Sequence, residues 1–336
     1  MSVTNRRVLL AQRPQGLPDA STFEVDEQEV GDPGDGEVLV RVSHISLDPA
    51  MRGWMNEGES YIPPVGLGEV MRAGAVGEVV ASATPSFAEG DHVYGTFGVQ
   101  HYAVTDGRGM MKVDPSRAPL PTYLGALGMP GMTAYFGLLD VGQFKEGETV
   151  VVSGAAGAVG STVGQIVKLK GGRAVGIAGG PEKCAHVVDD LGFDACIDYK
   201  GEDVRRKLKE HCPDRVDVYF DNVGNPILDQ VLTRLNTHAR VVICGAIAQY
   251  NASRMEGPAN YMQLLVRRAR MEGFVVFDYA KRYGEAAQEI AGWLAEGRFT
   301  AREDVVRAPV DDFHTVLRRL FDGDNVGKLV LEVDPA

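Results

Sequence analysis

From Val150 to Gly160 the chain reads Val-Val-Val-Ser-Gly-Ala-Ala-Gly-Ala-Val-Gly, an apolar run that passes through small residues into a helix start. Small side chains at this spacing permit a tight turn, let backbone N–H groups approach a pyrophosphate, and let a helix pack closely on a strand. In the G-x-G-x-x-G register Ala155 takes the first place and Gly157 and Gly160 the other two, with Ala158 and Val159 opening the helix. A glycine cluster of this kind also arises where a helix merely packs on a strand, so the neighbours decide. A strand precedes it, a helix follows, and a second strand falls at residues 174–178, where a βαβ unit requires one.

The tip of that second strand distinguishes two cofactors. NAD binders usually present an acid there to grip the ribose 2′-hydroxyl. Here the chain runs Ala178-Gly179-Gly180-Pro181-Glu182-Lys183, with no acid at the tip and a lysine able to meet a 2′-phosphate as a point charge. The reading is NADP(H), although a lysine in a first helical turn is also commonly just solvated.

Several elements must position these residues. Short alternating pieces at 38–42, 76–80 and 92–95, punctuated by glycine, proline and acids, suit a small β-barrel, with a first strand near 8–11. From 149 the pattern changes to apolar strands at 149–153, 174–178, 195–197, 216–220, 240–244 and 273–277, separated by helix-length segments such as 158–170 and 283–296. Six strands with intervening helices predict a doubly wound parallel sheet, an α/β fold. The expected division is a first domain over 1–124, completed by 303–336 with a last strand at 328–333, and a Rossmann domain over 125–302.

Composition bounds the function. The 336 residues carry a formal charge of −12, so no basic excess exists to neutralise nucleic-acid or membrane phosphates. Glycine, 41 residues, is well above the about 7% of average usage, and implies tight turns and close backbone approaches. No run of apolar residues is long enough for a transmembrane helix, and the one behind Arg6 and Arg7 is too short for a signal peptide. The four cysteines, Cys184, Cys196, Cys212 and Cys244, lack metal-site spacing and read as isolated reduced thiols of a cytoplasmic protein. No cysteine precedes Cys184 and no Gly-His-Glu occurs; His44, His92 and His101 match no ligand set, so no metal is expected.

The run from Leu127 to Leu139, with Pro130-Gly131-Met132-Thr133-Ala134-Tyr135 at its centre, and the turn from Gly154 to Ser161 resemble the zinc-independent medium-chain reductases. More narrowly, the chain resembles the branch of prostaglandin reductase, leukotriene B4 dehydrogenase and curcumin reductase. Ser46-Leu47-Asp48-Pro49-Ala50-Met51-Arg52-Gly53, Tyr219-Phe220-Asp221-Asn222-Val223-Gly224, Gln249-Tyr250-Asn251 and Gly323-Asp324-Asn325-Val326-Gly327-Lys328 all have counterparts in that branch. The resemblance implies a GroES-like barrel completed by the C-terminal tail, a Rossmann domain, and NADPH and substrate in the cleft between them. It implies reduction of the C=C bond of α,β-unsaturated ketones or aldehydes. Lys183 and Tyr199 would hold the 2′-phosphate; Asn222 and Asn325 would hydrogen-bond the cofactor, though asparagines beside glycines are also ordinary turn residues. The loops carrying Cys244, Ala246 and Tyr250, and Phe274, Val275 and Val276, would line the nicotinamide side. Many relatives have tyrosine where this chain has Ala50, so the pocket is expected to be wider there and short of one hydroxyl.

Hydride delivery to the β-carbon of an enone leaves charge on the carbonyl oxygen, so hydrogen-bond donors aimed at that oxygen are the catalytic need. Tyr250, just past a strand at the carboxyl end of the sheet, and Tyr61, on a barrel loop that in relatives faces the cleft, are the candidate donors; either ring could also serve only as a pocket wall. A quinone reductase and a non-catalytic NADPH-binding protein are the rival readings. The apolar run 271–277 in the last strand predicts pairing into a homodimer.

Overall fold

A computed structural model describes residues 2–334. The chain divides into two compact units, Met1–Leu124 with Glu303–Ala336, and Gly125–Arg302.

Strands are numbered along the whole chain. The first unit holds β1 (Val3–Leu10), β2 (Phe23–Val30), β3 (Val38–Ser46), β4 (Ala75–Ser82), β5 (His92–Gly95), β6 (Tyr102–Thr105) and β7 (Met111–Lys112), then β14 (Glu303–Ala308) and β15 (Lys328–Val333). β1 and β2 form an antiparallel ribbon, and the other strands form a seven-stranded sheet in the order β14-β15-β3-β4-β5-β7, with β6 also on β3. β3 is the hub. Along one edge it pairs with β4; along the other its first half takes β6 and its last residues take β15, with Ile45 opposite Leu331. Its alternating apolar residues Val38, Val40, Val42 and Ile45 enter a core shared with Val8, Leu10, Leu329 and Leu331, and burial of this apolar surface stabilises the unit. Lys328 is buried as well, and its ammonium is held by the Leu47 carbonyl at 2.6 Å and the Asp48 carboxylate at 2.9 Å. Its cation therefore ties β15 to the turn after β3.

The second unit contains β8 (Thr149–Ser153), β9 (Arg173–Ala178), β10 (Ala195–Asp198), β11 (Val216–Asp221), β12 (Leu235–Ile243) and β13 (Arg270–Gly273), all parallel, in the order β10-β9-β8-β11-β12-β13. Five residues of β8 are fully enclosed: Val150 and Val152 face one core and Val151 the other, as a strand covered on both faces requires. The helix Ala158–Leu169 returns the chain from β8 to β9.

Two strand expectations need correction. The last strand is Arg270–Gly273, not 273–277; the chain leaves the sheet there and forms a 3₁₀ turn over Val276–Arg282. The apolar residues beyond Gly273 spend themselves on packing: the Phe274 ring meets Phe220 and Tyr279 edge-on, both at 6.5 Å. β12 starts at Leu235, before the expected 240, because a register irregularity between Val216 and Val218 lets a polar stretch with His238 in the left-handed region join the ladder. No helix among the described residues is long and apolar enough to cross a membrane.

Candidate cofactor and active site

Because all six strands run parallel, Ser153, Ala178, Asp198, Asp221, Ile243 and Gly273 end on one side of the second unit. The direction of winding reverses between β8 and β11, and open α/β sheets bind ligands outside the carboxyl ends at such a switch point. The glycine-rich turn leaves β8 at that place. Gly154 takes φ +63°, and the Ala155 N–H bonds the Ile177 carbonyl of β9 at 3.1 Å, which fixes the turn against the neighbouring strand. A Cβ at Gly160 would lie 2.3 Å from the Gly154 carbonyl oxygen, so that approach depends on a missing side chain, and one at Gly157 would lie 3.3 Å from it, a tight contact. Gly157 caps the helix Ala158–Leu169 without any side-chain hydrogen bond, which leaves first-turn N–H groups of Ala158, Val159 and Gly160 for an anion. A pyrophosphate fits this cradle. The left-handed position belongs to Gly154, a residue the G-x-G-x-x-G alignment passed over in favour of the fully buried Ala155.

The ends of β8 and β11 are joined by a carboxylate that sequence reading did not single out. Asp221, 1% exposed, accepts at Oδ1 from the Ser153 hydroxyl (2.9 Å), the Tyr219 hydroxyl (2.8 Å) and the Val223 and Gly224 amides (both 3.0 Å). A buried charge demands this degree of pairing, and the demand fixes the chain path after both strands. Asn222 completes the link: its amide N–H bonds Ser153 Oγ at 2.9 Å and its side-chain Nδ2 donates to the Ser153 carbonyl at 2.8 Å. Its observed work is thus to hold the turn.

The same carboxylate residue supports the loop after β12. The Cys244 and Gly245 amides donate to the Asp221 carbonyl oxygen at 2.9 and 3.1 Å. Desolvation, with Asp221 nearby, pushes the Cys244 thiol up to about 12, so it stays protonated at neutral pH. Tyr250 folds back over its own loop, and its hydroxyl oxygen accepts the Ala246 N–H at 3.1 Å. Phe274, Val275 and Val276 follow β13 on the same side of the sheet, with the Val276 carbonyl held by the Tyr283 hydroxyl at 3.0 Å.

At the β9 tip, Gly180 sits at φ +99° and opens the short helix Pro181–Ala185 that carries Lys183. Tyr199, 46% exposed, lies over Gly179, where a Cβ would come within 2.9 Å of its ring. Lys183 and Tyr199 therefore flank the same tip. A carboxylate reaches it too, from the adjacent strand: Asp198 accepts the Gly180 N–H at 2.7 Å and the Lys200 N–H at 2.9 Å, bonds that hold its acid below the usual range. Asp198 was not anticipated, because only strand pairing brings it alongside β9.

Cys184 and Cys196 also meet here, against the expectation of four isolated thiols. Cys184 is in the helix Pro181–Ala185 and Cys196 is in β10, and each sulfur is the other's side-chain neighbour. Sequence spacing gives no sign of the pair, since it arises from packing of that helix beside β10.

Tyr61 and Asn325 belong to the first unit. Tyr61 is 56% exposed and its hydroxyl accepts from the Trp54 indole N–H at 3.3 Å; Asn325 closes the turn before β15 by donating to the Gly327 carbonyl at 3.0 Å. Ala50 leads into the short helix Met51–Trp54.

The sheet order, the turn at its switch point and the anion-ready helix end define a Rossmann-type dinucleotide-binding protein. Residues 6–113 match the family described as N-terminal domain of oxidoreductase, and residues 158–292 the one described as zinc-binding dehydrogenase. The chain is 44% identical to the NADPH-dependent curcumin reductase of Escherichia coli (98% of this chain, 97% of that protein) and 38% identical to the 2-alkenal reductase (NADP(+)-dependent) of Nicotiana tabacum (98% of each). The crystal structure of CurA in complex with NADPH from Vibrio vulnificus superposes with a TM-score of 0.92 at 45% identity, covering 98% of this chain and 99% of that one. The chain belongs to the medium-chain dehydrogenase/reductase family, in the branch that holds the curcumin and alkenal reductases. The second description mentions zinc, but among the described residues no three His, Cys, Asp or Glu side chains converge as a metal centre needs. The residues present do not fit that metal.

Proposed function

We propose that this protein is an NADPH-dependent reductase of the C=C bond in α,β-unsaturated ketones and aldehydes. The observation that carries the reading is the match along 98% of the chain, at 44% identity, to a curcumin reductase. The built anion cradle at the switch point supports it.

Ala158, Val159 and Gly160 would hold the pyrophosphate through backbone N–H groups, Ala155 and Gly157, whose own N–H groups bond the Ile177 and Gly154 carbonyls, would shape the turn around it, and Lys183 with Tyr199 would hold the 2′-phosphate. Asn222, Cys244, Ala246, Tyr250, Phe274, Val275 and Val276 would border the nicotinamide, and Asn325 would hydrogen-bond the cofactor. When bound, NADPH supplies a hydride to the electron-poor β-carbon, which leaves negative charge on the carbonyl oxygen. This chain's task is to put hydroxyl donors at that oxygen and to keep water out. Tyr250 is the principal candidate: a phenol whose oxygen accepts the Ala246 N–H is oriented by that bond. Tyr61 is the second, its ring steadied by Trp54.

A panel of enones, 2-alkenals and benzoquinones assayed for NADPH oxidation tests the function. Turnover of enones and alkenals ahead of quinones is expected; preference for quinones would make the protein a quinone reductase, and NADPH binding without any turnover would make it a non-catalytic binder.

A homodimer is the proposed assembly. β13 stands at the edge of its sheet, and the helix Met262–Arg267 near it buries none of its residues, with Leu265 70% and Val266 57% exposed. An open strand edge beside an apolar helix face favours pairing with a second copy. Light scattering should give twice the 36.2 kDa chain mass at micromolar concentration, and the monomer mass there would reject it. The free thiols support placement in the cytoplasm.

A further inference from the structure

Two thiols stand at the β9 tip, beside the residues read above as the 2′-phosphate site. Cys184 directly follows Lys183 in the helix Pro181–Ala185, and Cys196 lies in β10, the strand that leads to Tyr199. Their sulfurs are in hydrogen-bond contact, and the Ala178 amide at the end of β9 reaches both. Cys196 is further fixed from below: a Cβ at Gly176 would come 3.3 Å from its sulfur and 2.9 Å from the Ala155 methyl, so the glycine makes room for sulfur behind the cofactor turn. Both cysteines are partly exposed, which gives a small oxidant access. The contact is asymmetric. Cys184 rides on the helix Pro181–Ala185, none of whose residues is buried, whereas Cys196 sits within the sheet against Gly176 and the Ala155 methyl. Cys184 is thereby the attacking sulfur and Cys196 the resolving one.

We propose that Cys184 and Cys196 form a reversible dithiol–disulfide pair, oxidised by hydroperoxides, that controls NADPH binding at the β9 tip. The chemistry balances in two steps. The Cys184 thiolate attacks a peroxide oxygen; the O–O bond breaks, an S–O bond forms, and the departing alkoxide or hydroxide takes a proton, giving a sulfenic acid and an alcohol or water. The Cys196 sulfur then attacks that sulfur, its own proton leaves with the hydroxyl group as water, and the S–S bond forms. Two thiols are oxidised and one peroxide is reduced.

The consequence for the cofactor follows from geometry, given the reading of this tip as the 2′-phosphate site. Closing two sulfurs from hydrogen-bond contact to about 2.05 Å draws the helix Pro181–Ala185 toward β10. That helix carries Lys183, and the end of β10 carries Tyr199, so the two residues flanking the tip change their separation. The left-handed Gly180 and its bond to Asp198 are the joint that must give.

The test uses the full-length protein, reduced with dithiothreitol or treated with hydrogen peroxide. Intact-mass and peptide mass spectrometry should show the loss of two hydrogens, with a bond joining the peptides of Cys184 and Cys196. NADPH fluorescence titration should show the Kd rising roughly tenfold or more on oxidation and returning with dithiothreitol. In Cys184→Ser the Kd should ignore peroxide, and in Cys196→Ser a sulfenic acid at Cys184 should accumulate and react with dimedone. Independent over-oxidation of the two sulfurs, or bonds to other cysteines, would overturn the pair, because the mass readout does not depend on NADPH. A disulfide that leaves the Kd unchanged would overturn the control. A reduced protein that binds no NADPH would instead strike the cofactor reading, and the control with it.

Discussion

Lys183 and Tyr250 bear the two residue-scale predictions. Lys183 offers its charge at a tip where the acid that reaches it from the adjacent strand, Asp198, is already committed to backbone amides. NADPH should therefore be preferred to NADH by at least tenfold, about 1.4 kcal/mol. Lys183→Ala should erode that preference chiefly through the KM for NADPH, and steady-state kinetics with both cofactors decides it; equal use by the unmutated protein would reject the assignment. Tyr250→Phe should lower kcat on an enone roughly 10-fold, less than the about 2.7 to 4 kcal/mol typical of a lone oxyanion donor, because a ribose hydroxyl of the bound cofactor would serve as a second donor. The substitution also removes the acceptor of the Ala246 N–H, so the NADPH Kd must be measured alongside. A Kd within about threefold of wild type with the kcat loss assigns the hydroxyl to chemistry; full kcat makes Tyr250 only a wall. At this scale the sequence was legible where the constraint is steric and local. Gly160 announces itself because a side chain would collide with the Gly154 carbonyl, and Gly157 stands in tight contact with the same oxygen. Asp221 and Asp198 did not, since each acts only after parallel pairing has set β8 against β11 and β9 against β10.

The glycine-rich turn and its helix act as one element. Gly160→Ala would force a methyl to 2.3 Å from the Gly154 oxygen, in a turn already pinned to β9 through Ala155. Overpacking of this kind costs about 1–3 kcal/mol, so a lowered Tm and an NADPH Kd raised tenfold or more are expected from calorimetry and fluorescence titration. Gly292→Ala, in the helix Tyr283–Ala295 with open space at its Cβ, is the control and should leave the Kd unchanged with a Tm equal to or above the original. Boundaries were read well where burial on both faces left no alternative, as at β8 and β15. β13 was placed too late because the most apolar run of that region, Phe274 to Phe277, looks like a strand. The pairing residues are Arg270, Met271, Glu272 and Gly273, two of them charged, and the Phe274 ring is used for packing against Phe220 and Tyr279.

For the whole molecule, the chain leaves its first unit at Leu124 and returns at Glu303. The fragment 125–302 should melt cooperatively by itself in circular dichroism, whereas 1–124 alone should not, because it lacks the β15 partner of β3 and the Lys328 ammonium that pairs with Asp48. A cooperative transition in 1–124 would contradict this. The Lys328–Asp48 bond also has a meaning in time. A ribosome must make about 180 residues between the two halves of the first unit, which at about 5–20 residues per second takes about 10 to 40 s. Throughout that interval the last residues of β3 present an unpaired edge and Asp48 awaits its cation, while the contiguous second unit has everything it needs. Birth order therefore reverses folding order: the part synthesised first is completed last, and the nascent chain is most open to wrong strand partners before its final thirty residues emerge.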